Sequence, residues 1–129
     1  MNKNELVALA VEARENSYSP YSGFKVGAAL LTKSGRVYKG CNIENGAFSP
    51  TNCAERTAVF TAVADGEKDF AAIAVVGGAG EINDFCSPCG VCRQVLSEFC
   101  EEDFEIYLFN GEEIKTFTLG EIFPVSFKL

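Results

Sequence analysis

The 129-residue sequence predicts an α/β fold in which a mixed sheet carries helices on both faces. Three observations carry that expectation. The elements read helix, strand, strand, and then alternate helix and strand, the order that builds a sheet with crossover helices. Two strands are nearly continuous apolar runs, as strands covered on both faces are. Two of the helices begin at cysteine-bearing segments, so their N-termini are expected to converge at one edge of the sheet.

The elements follow from local chemistry. Residues 3 to 17 place Leu6, Val7, Leu9, Ala10 and Ala13 at near-helical spacing with charges opposite, so they form a packing helix. Asn2 or Asn4 is placed to cap it and Pro20 to stop it. Ser19-Pro20-Tyr21-Ser22-Gly23 is a turn. Phe24 to Thr32 is a mostly buried strand, Lys33 to Arg36 a hairpin turn, and Val37 to Asn42 the returning strand. Gly46 to Thr51 is a loop. Thr51 or Asn52 is then expected to cap a helix through Val59, Val63 and Ala64, ended by Asp65-Gly66. Phe70 to Val76 reads as a buried strand and Gly77 to Gly80 as a flexible connection. Ser87 as N-cap and Pro88 at the first helical position open a helix through Phe99. Phe104 to Phe109 is a strand, Asn110-Gly111 a turn, and Thr118 to Phe123 a short helix before Pro124. The tail Val125 to Leu129 is apolar for a terminus, which suits docking on its own domain or on a neighbouring subunit.

Composition bounds the function. The length suits one domain, residues 1–129, and no repeat, low-complexity stretch or linker divides it. Hydrophobic residues make up 47% and charged residues 22%, the balance of a globular protein. A net charge of −7 without a basic run lacks the footprint of a protein that binds polymeric nucleic acid. A small nucleoside in a pocket is not excluded by it. Met1 to Arg14 has no apolar signal-peptide core, and Phe70 to Val76 is too short to span a bilayer. With nothing that indicates export, the six cysteines read as reduced thiols of a cytoplasmic protein.

The chemistry lies in two segments. Thr51-Asn52-Cys53-Ala54-Glu55-Arg56 offers a thiolate and, two residues on, a carboxylate. Ser87-Pro88-Cys89-Gly90-Val91-Cys92 offers two thiolates at i and i+3, on one helix face. Three sulfurs hold a zinc ion and leave its fourth position for water, and Glu55 beside that water is a candidate proton carrier. Helix N-termini favour thiolates, which prepares Cys53 for metal. Arg56 is placed to offset the net negative charge of three thiolates and zinc. Other readings stay open: a closed structural zinc on Cys53, Cys86, Cys89 and Cys92, or a redox dithiol within Cys86-Ser87-Pro88-Cys89 or Cys89-Gly90-Val91-Cys92. Cys41 and Cys100 read as buried small hydrophobes. Asn42 and Glu44, two residues apart, read either as a turn Asn and a solvated Glu or as a pair gripping hydroxyls. Phe24 by itself reads as a core aromatic.

The pattern Cys53-Ala54-Glu55…Pro88-Cys89-Gly90-Val91-Cys92 has the form of the zinc deaminase signature. With Gly40-Cys41-Asn42-Ile43-Glu44-Asn45 and Arg93-Gln94, the chain resembles the small bacterial cytidine deaminases from its first helix almost to its C-terminus. That resemblance implies a three-layer α/β/α fold with a mostly five-stranded sheet, one Zn2+ per chain on Cys53, Cys89 and Cys92, and Glu55 as the catalytic acid and base. It implies that Phe24 lines the nucleoside pocket and that Asn42 and Glu44 hold the ribose. The Ala54 N–H would bind the O2 carbonyl, and the Ser87 carbonyl would face the leaving amino group. It further implies hydrolysis of cytidine and deoxycytidine in pyrimidine salvage by a homotetramer, with Phe127 reaching a neighbour's active site. The related blasticidin S deaminases share the zinc core but look less similar at the Asn42/Glu44 segment.

Overall fold

The computed structural model describes all residues, 1–129. Its elements are α1 (Lys3–Arg14), β1 (Lys25–Thr32), β2 (Val37–Cys41), α2 (Ala54–Ala64), β3 (Phe70–Gly78), α3 (Gly90–Phe99), β4 (Glu105–Phe109), β5 (Ile114–Thr118) and α4 (Leu119–Ile122). The strands form one sheet in the order β2-β1-β3-β4-β5. Only β3 and β4 pair in parallel; β1 runs antiparallel to both of its neighbours, and β5 is antiparallel to β4. The expected mixed α/β sheet with helices on both faces is what forms.

Side-chain alternation along the central strands separates the two faces. Ala28 and Leu30 of β1, with Ile73 and Val75 of β3, point toward α2, α3 and α4, where Ala58, Val59, Ala62, Leu96 and Leu119 complete the larger core. Ala29, Ala72, Ala74 and Val76 point the other way, against Leu6, Val7 and Ala10 of α1. Leu6, Leu30, Ile73 and Leu96 are fully buried, and each such side chain stabilises the fold by about 1.5–3 kcal/mol.

Helix α1 starts at Asn2, whose side chain accepts from the Glu5 N–H (2.9 Å) while the Glu5 carboxylate accepts from the Asn2 N–H (3.3 Å), a reciprocal capping box. It ends at Arg14, well before Pro20, and the Arg14 guanidinium donates to the carbonyls of Lys25 (3.1 Å), Gly78 (2.8 Å) and Gly80. The connection expected at Gly77–Gly80 is half strand: Gly77 and Gly78 extend β3, opposite Val26 and Lys25. Strand β5 has no counterpart among the strands read residue by residue. Its five residues contain only Ile114 and Phe117 as large apolar side chains, and these face opposite cores. Pairing with β4 makes it a strand. No helix is long and apolar enough to cross a membrane.

Two glycines set the helix heights. A Cβ at Gly27 would strike Ala10 O and come within 2.5 Å of Arg14 N; one at Gly40 would strike Ala54 O and come within 2.5 Å of Ala58 N. Gly40 therefore seats the first turns of α2, which carry Cys53 and Glu55. Gly40→Ala is expected to destabilise the protein by about 1–3 kcal/mol or more, read from the denaturant midpoint, since neither backbone can give way cheaply. An unchanged midpoint would show that α2 is not held at this height.

Candidate metal centre and active site

Both chemistry-bearing helices begin later than their sequence signals suggest, α2 by one or two residues and α3 by two. Cys53, rather than Thr51 or Asn52, is the N-cap of α2, and Cys89, rather than Ser87, is the N-cap of α3. Both have extended backbones and neither side chain accepts a capping hydrogen bond. A capping residue points its side chain over the free N–H groups of the first turn, so both sulfurs lie at positive helix ends. Cys92, two residues into α3, is fully buried below them.

The two N-termini converge. Cys53 Sγ lies 3.8 Å from Cys89 Sγ, and Cys89 Sγ lies 3.6 Å from Cys92 Sγ. All three sulfurs fall within 4.8 Å of one another. A tetrahedral zinc with Zn–S bonds of about 2.3 Å places its sulfurs about 3.8 Å apart, so the three side chains fit the ion with little movement. Cys86 is not part of this cluster. Its thiol, pushed up to about 11 by burial and by the nearby Glu55 and Cys53 charges, packs beside Gly77 and the Phe24 ring.

The cluster is electrostatically prepared for a cation. Cys53 is drawn down to about 5, first by its hydrogen bond with Cys92 and then, against burial, by Arg56. Cys92 moves the opposite way, because it supplies that hydrogen bond and is buried. Arg56 Nη2 donates to Cys53 Sγ at 3.1 Å, while Arg56 Nε is buried without a partner. Burial works against the Arg56 charge, but its bonds to the Cys53 and Cys92 sulfurs outweigh burial and raise its pKa. Glu55, only 4% exposed, is pushed up to about 7 by desolvation, against the pull of its own backbone N–H. A carboxyl that titrates near neutrality is poised both to take and to give a proton.

A cavity of about 190 Å³ opens at this point. Asn42, Cys53, Ala54, Glu55, Ser87 and Cys89 all line it, together with Cys86. Ala54 heads α2, where no intrahelical acceptor awaits its N–H. The Ser87 hydroxyl accepts from Arg93 Nη2 at 2.8 Å, and Arg93 Nε holds the Pro88 carbonyl at 2.7 Å, so Arg93 braces the loop that carries Cys89. Phe24, 43% exposed, lies outside that lining and faces an adjoining cleft. Glu44 also lies outside the lining. Phe127, 67% exposed, is not brought to its own chain's cavity; its carbonyl accepts from Gln94 Nε2 at 3.1 Å and the tail continues along α3.

Long-range pairing lays the Asn42–Glu44 segment against the one that leads into Cys53, and brings Asn42 into the cavity lining with the cysteines. Ile43 and Asn52 exchange two backbone hydrogen bonds of 2.9 Å, and Tyr18 accepts from the Glu44 N–H (2.8 Å) while donating to the Asn42 carbonyl (3.0 Å). Asn42 is less free than an amide able both to give and to accept. Its Oδ1 accepts from the Ser17 hydroxyl (2.5 Å) and the Val26 N–H (2.9 Å), and its Nδ2 donates to the Phe24 carbonyl (2.8 Å). One N–H remains for a ligand. Glu44 Oε1 accepts from the N–H groups of Tyr21 (2.9 Å) and Ser22 (3.1 Å), and Oε2 from the Ser22 hydroxyl (2.5 Å). No local pattern in the sequence marks Ser17 and Ser22, whose partners Asn42 and Glu44 lie 25 and 22 residues away.

Residues 1–108 match the family described as the cytidine and deoxycytidylate deaminase zinc-binding region. The chain is 49% identical over 128 residues to a cytidine deaminase of Sporosarcina psychrophila, covering 98% of this chain and 92% of that protein. It is 47% identical over 128 residues to one from Halalkalibacterium halodurans, covering 98% and 95%. The crystal structure of cytidine deaminase from Burkholderia pseudomallei superposes with a TM-score of 0.91 at 45% identity, over 98% of this chain and 100% of that one. The chain therefore belongs to the cytidine deaminase family of hydrolases.

Proposed function

We propose that the chain catalyses hydrolytic deamination of cytidine and deoxycytidine to uridine and deoxyuridine with release of ammonia, a pyrimidine-salvage reaction, as a single domain with one zinc ion per chain. The observation that carries this reading is the meeting of three sulfurs, Cys89 lying 3.8 Å from Cys53 and 3.6 Å from Cys92, with a buried carboxyl pushed up to about 7. Cys53, Cys89 and Cys92 would hold the ion. Bound zinc supplies a Lewis acid that brings the pKa of water near neutrality.

The chain's own residues carry the proton traffic. Glu55 takes a proton from the attacking water as its oxygen adds to C4 of the cytosine ring, and delivers that proton to N3. It then relays the proton of the new hydroxyl to the exocyclic amino nitrogen, whose bond to C4 breaks to release ammonia. The free Ala54 N–H holds the O2 carbonyl and the Ser87 carbonyl accepts from the amino group. Asn42 and Glu44 hold the ribose, and Phe24 packs at the pocket's side. Arg56 offsets the charge of the thiolates. Arg56→Gln is expected to weaken zinc binding about 10- to 100-fold, checked by competition with a chelating dye, because the Cys53 sulfur loses its donor. Unchanged affinity would remove Arg56 from that role.

A homotetramer is part of the same reading. A cavity of about 190 Å³ is small for a nucleoside, and the exposed Phe127 on a tail led away from its own cavity is suited to a neighbour's. Net charge −7 without a basic run argues against polymeric nucleic acid, and a cytoplasmic, membrane-free setting suits reduced cysteines. The test joins metal content with turnover: about one zinc per chain, and an ultraviolet change on converting cytidine and deoxycytidine. Zinc without turnover on either nucleoside would overturn the substrate assignment, and blasticidin S would be the next substrate tried.

A further inference from the structure

We infer that Ser22 is a positioning residue for the sugar of the substrate, acting through Glu44; this rests on the reading of Asn42 and Glu44 as the ribose grip. Ser22 lies in the turn between α1 and β1, apart from the zinc signature, and its side chain joins two parts of the site. Its hydroxyl donates to Glu44 Oε2 at 2.5 Å and accepts from the Phe24 N–H at 3.0 Å. Its backbone N–H, with that of Tyr21, holds Glu44 Oε1. The Phe24 carbonyl in turn accepts from Asn42 Nδ2. Ser22, Phe24, Asn42 and Glu44 are thus one chain of hydrogen bonds.

The polarity of that chain decides what the site offers. Both lone pairs of Asn42 Oδ1 and one of its Nδ2 hydrogens are taken, which leaves a single donor. Both directions on Glu44 Oε1 are taken by backbone N–H groups, so Oε2 is the oxygen left for a ligand. The one side chain that fixes the rotation of Oε2 is Ser22. Its hydroxyl also heads the causes that keep Glu44 below the ordinary carboxylate range, and so an acceptor. Without it, Glu44 stays tethered through Oε1 while Oε2 swings. Affinity for a sugar hydroxyl then falls, and the chemistry at Cys53 and Glu55 is untouched.

The experiment compares deoxycytidine with 2′,3′-dideoxycytidine, which lacks the 3′ hydroxyl that the grip would hold and keeps only the 5′ hydroxyl, as substrates of the zinc-loaded protein. Ser22→Ala is expected to raise the KM for deoxycytidine about tenfold, the effect of one charge-assisted hydrogen bond, with kcat changed less than about twofold. The KM for the dideoxy nucleoside should stay put, and Ser22→Thr, which keeps the hydroxyl, should recover most of the deoxycytidine loss. In a Glu44→Ala background, adding Ser22→Ala should change nothing further, and that cycle decides the matter even where one variant is unstable. An equal rise in KM for both substrates would mean that Ser22 only holds the turn, and would overturn the proposal. No rise for either would overturn it too. A wild-type protein that treats the two nucleosides alike would instead overturn the ribose grip itself.

Discussion

Replacing Glu55 by Gln should remove most turnover while leaving metal content unchanged. The substitution keeps the size and shape of a side chain that is 4% exposed, so the cavity and the sulfurs around it stay in place. What disappears is the group that exchanges protons near neutral pH. A positioned acid or base contributes about 10²- to 10⁴-fold, and Glu55 is asked to act in both directions within one turnover, so the loss should lie at the upper end of that range. Steady-state rates with zinc determined on the same sample check this. Turnover within a few-fold of wild type would sink the assignment of Glu55 as proton carrier. The same variant has a stability signature in metal-free protein. Burial raises the Glu55 carboxyl from its ordinary 4.5 to about 7, so between those values the folded state binds more protons than the unfolded state. The Glu55 contribution to stability then falls as pH rises through that window. The Cys53 thiol, drawn down from its ordinary 9.0 to about 5, contributes in the opposite direction, so the Glu55 part is read as the difference between wild type and variant. Metal-free Glu55→Gln should lack that fall and be at least as stable as wild type at neutral pH, by thermal melts across the range.

Stripping the metal should abolish turnover, and zinc should restore it. Three sulfurs at 3.6–3.8 Å along the cluster are an arrangement that thiols alone do not favour once ionised. In the metal-free state Cys53 loses its proton readily and Cys92 retains its own, so zinc must displace protons to bind. Affinity should therefore weaken as pH falls, and calorimetry in buffers of different ionisation enthalpy should register proton release. Zinc that binds only the folded chain adds about 4 kcal/mol of stability when free zinc is about a thousandfold above its Kd, which a melting curve reads directly. Turnover that survives complete chelation would overturn the catalytic role of the cluster. Zinc loss that lowers stability while turnover persists would recast it as a structural site.

The short-range features of the fold and site were legible from residue order. Asn2 with Glu5, the apolar runs of β1 and β3, and Thr118 ahead of α4 each depend on neighbours a few residues apart. The spacing Cys53-x-Glu55 and Pro88-Cys89-x-x-Cys92 belongs to the same class, since a helix start fixes where such side chains point. Even so, the helices start one or two residues beyond the capping residues that the sequence offers. Thr51, Asn52 and Ser87 are ordinary capping residues, whereas the observed caps are cysteines whose side chains serve one another and Arg56 instead of the helix N–H groups.

The sequence by itself determined the α/β class and the two helix-opening segments that carry sulfur, because each rests on local spacing and intrinsic chemistry; the choice of Cys53, Cys89 and Cys92 over a set with Cys86 came from the family resemblance. Tertiary structure alone decided the rest. Pairing with β4 makes β5 a strand, and Gly40 sets the depth of α2. The pairing of Ile43 with Asn52 sets the Asn42–Glu44 segment beside the one that carries Cys53. Bonds of Asn42 with Ser17, Val26 and Phe24, and of Glu44 with Tyr21 and Ser22, take up most of the hydrogen-bonding capacity of the pair. The physical reason is common to all of these. A buried polar group or a close helix contact is settled by partners far along the chain, and only the assembled sheet brings them within reach.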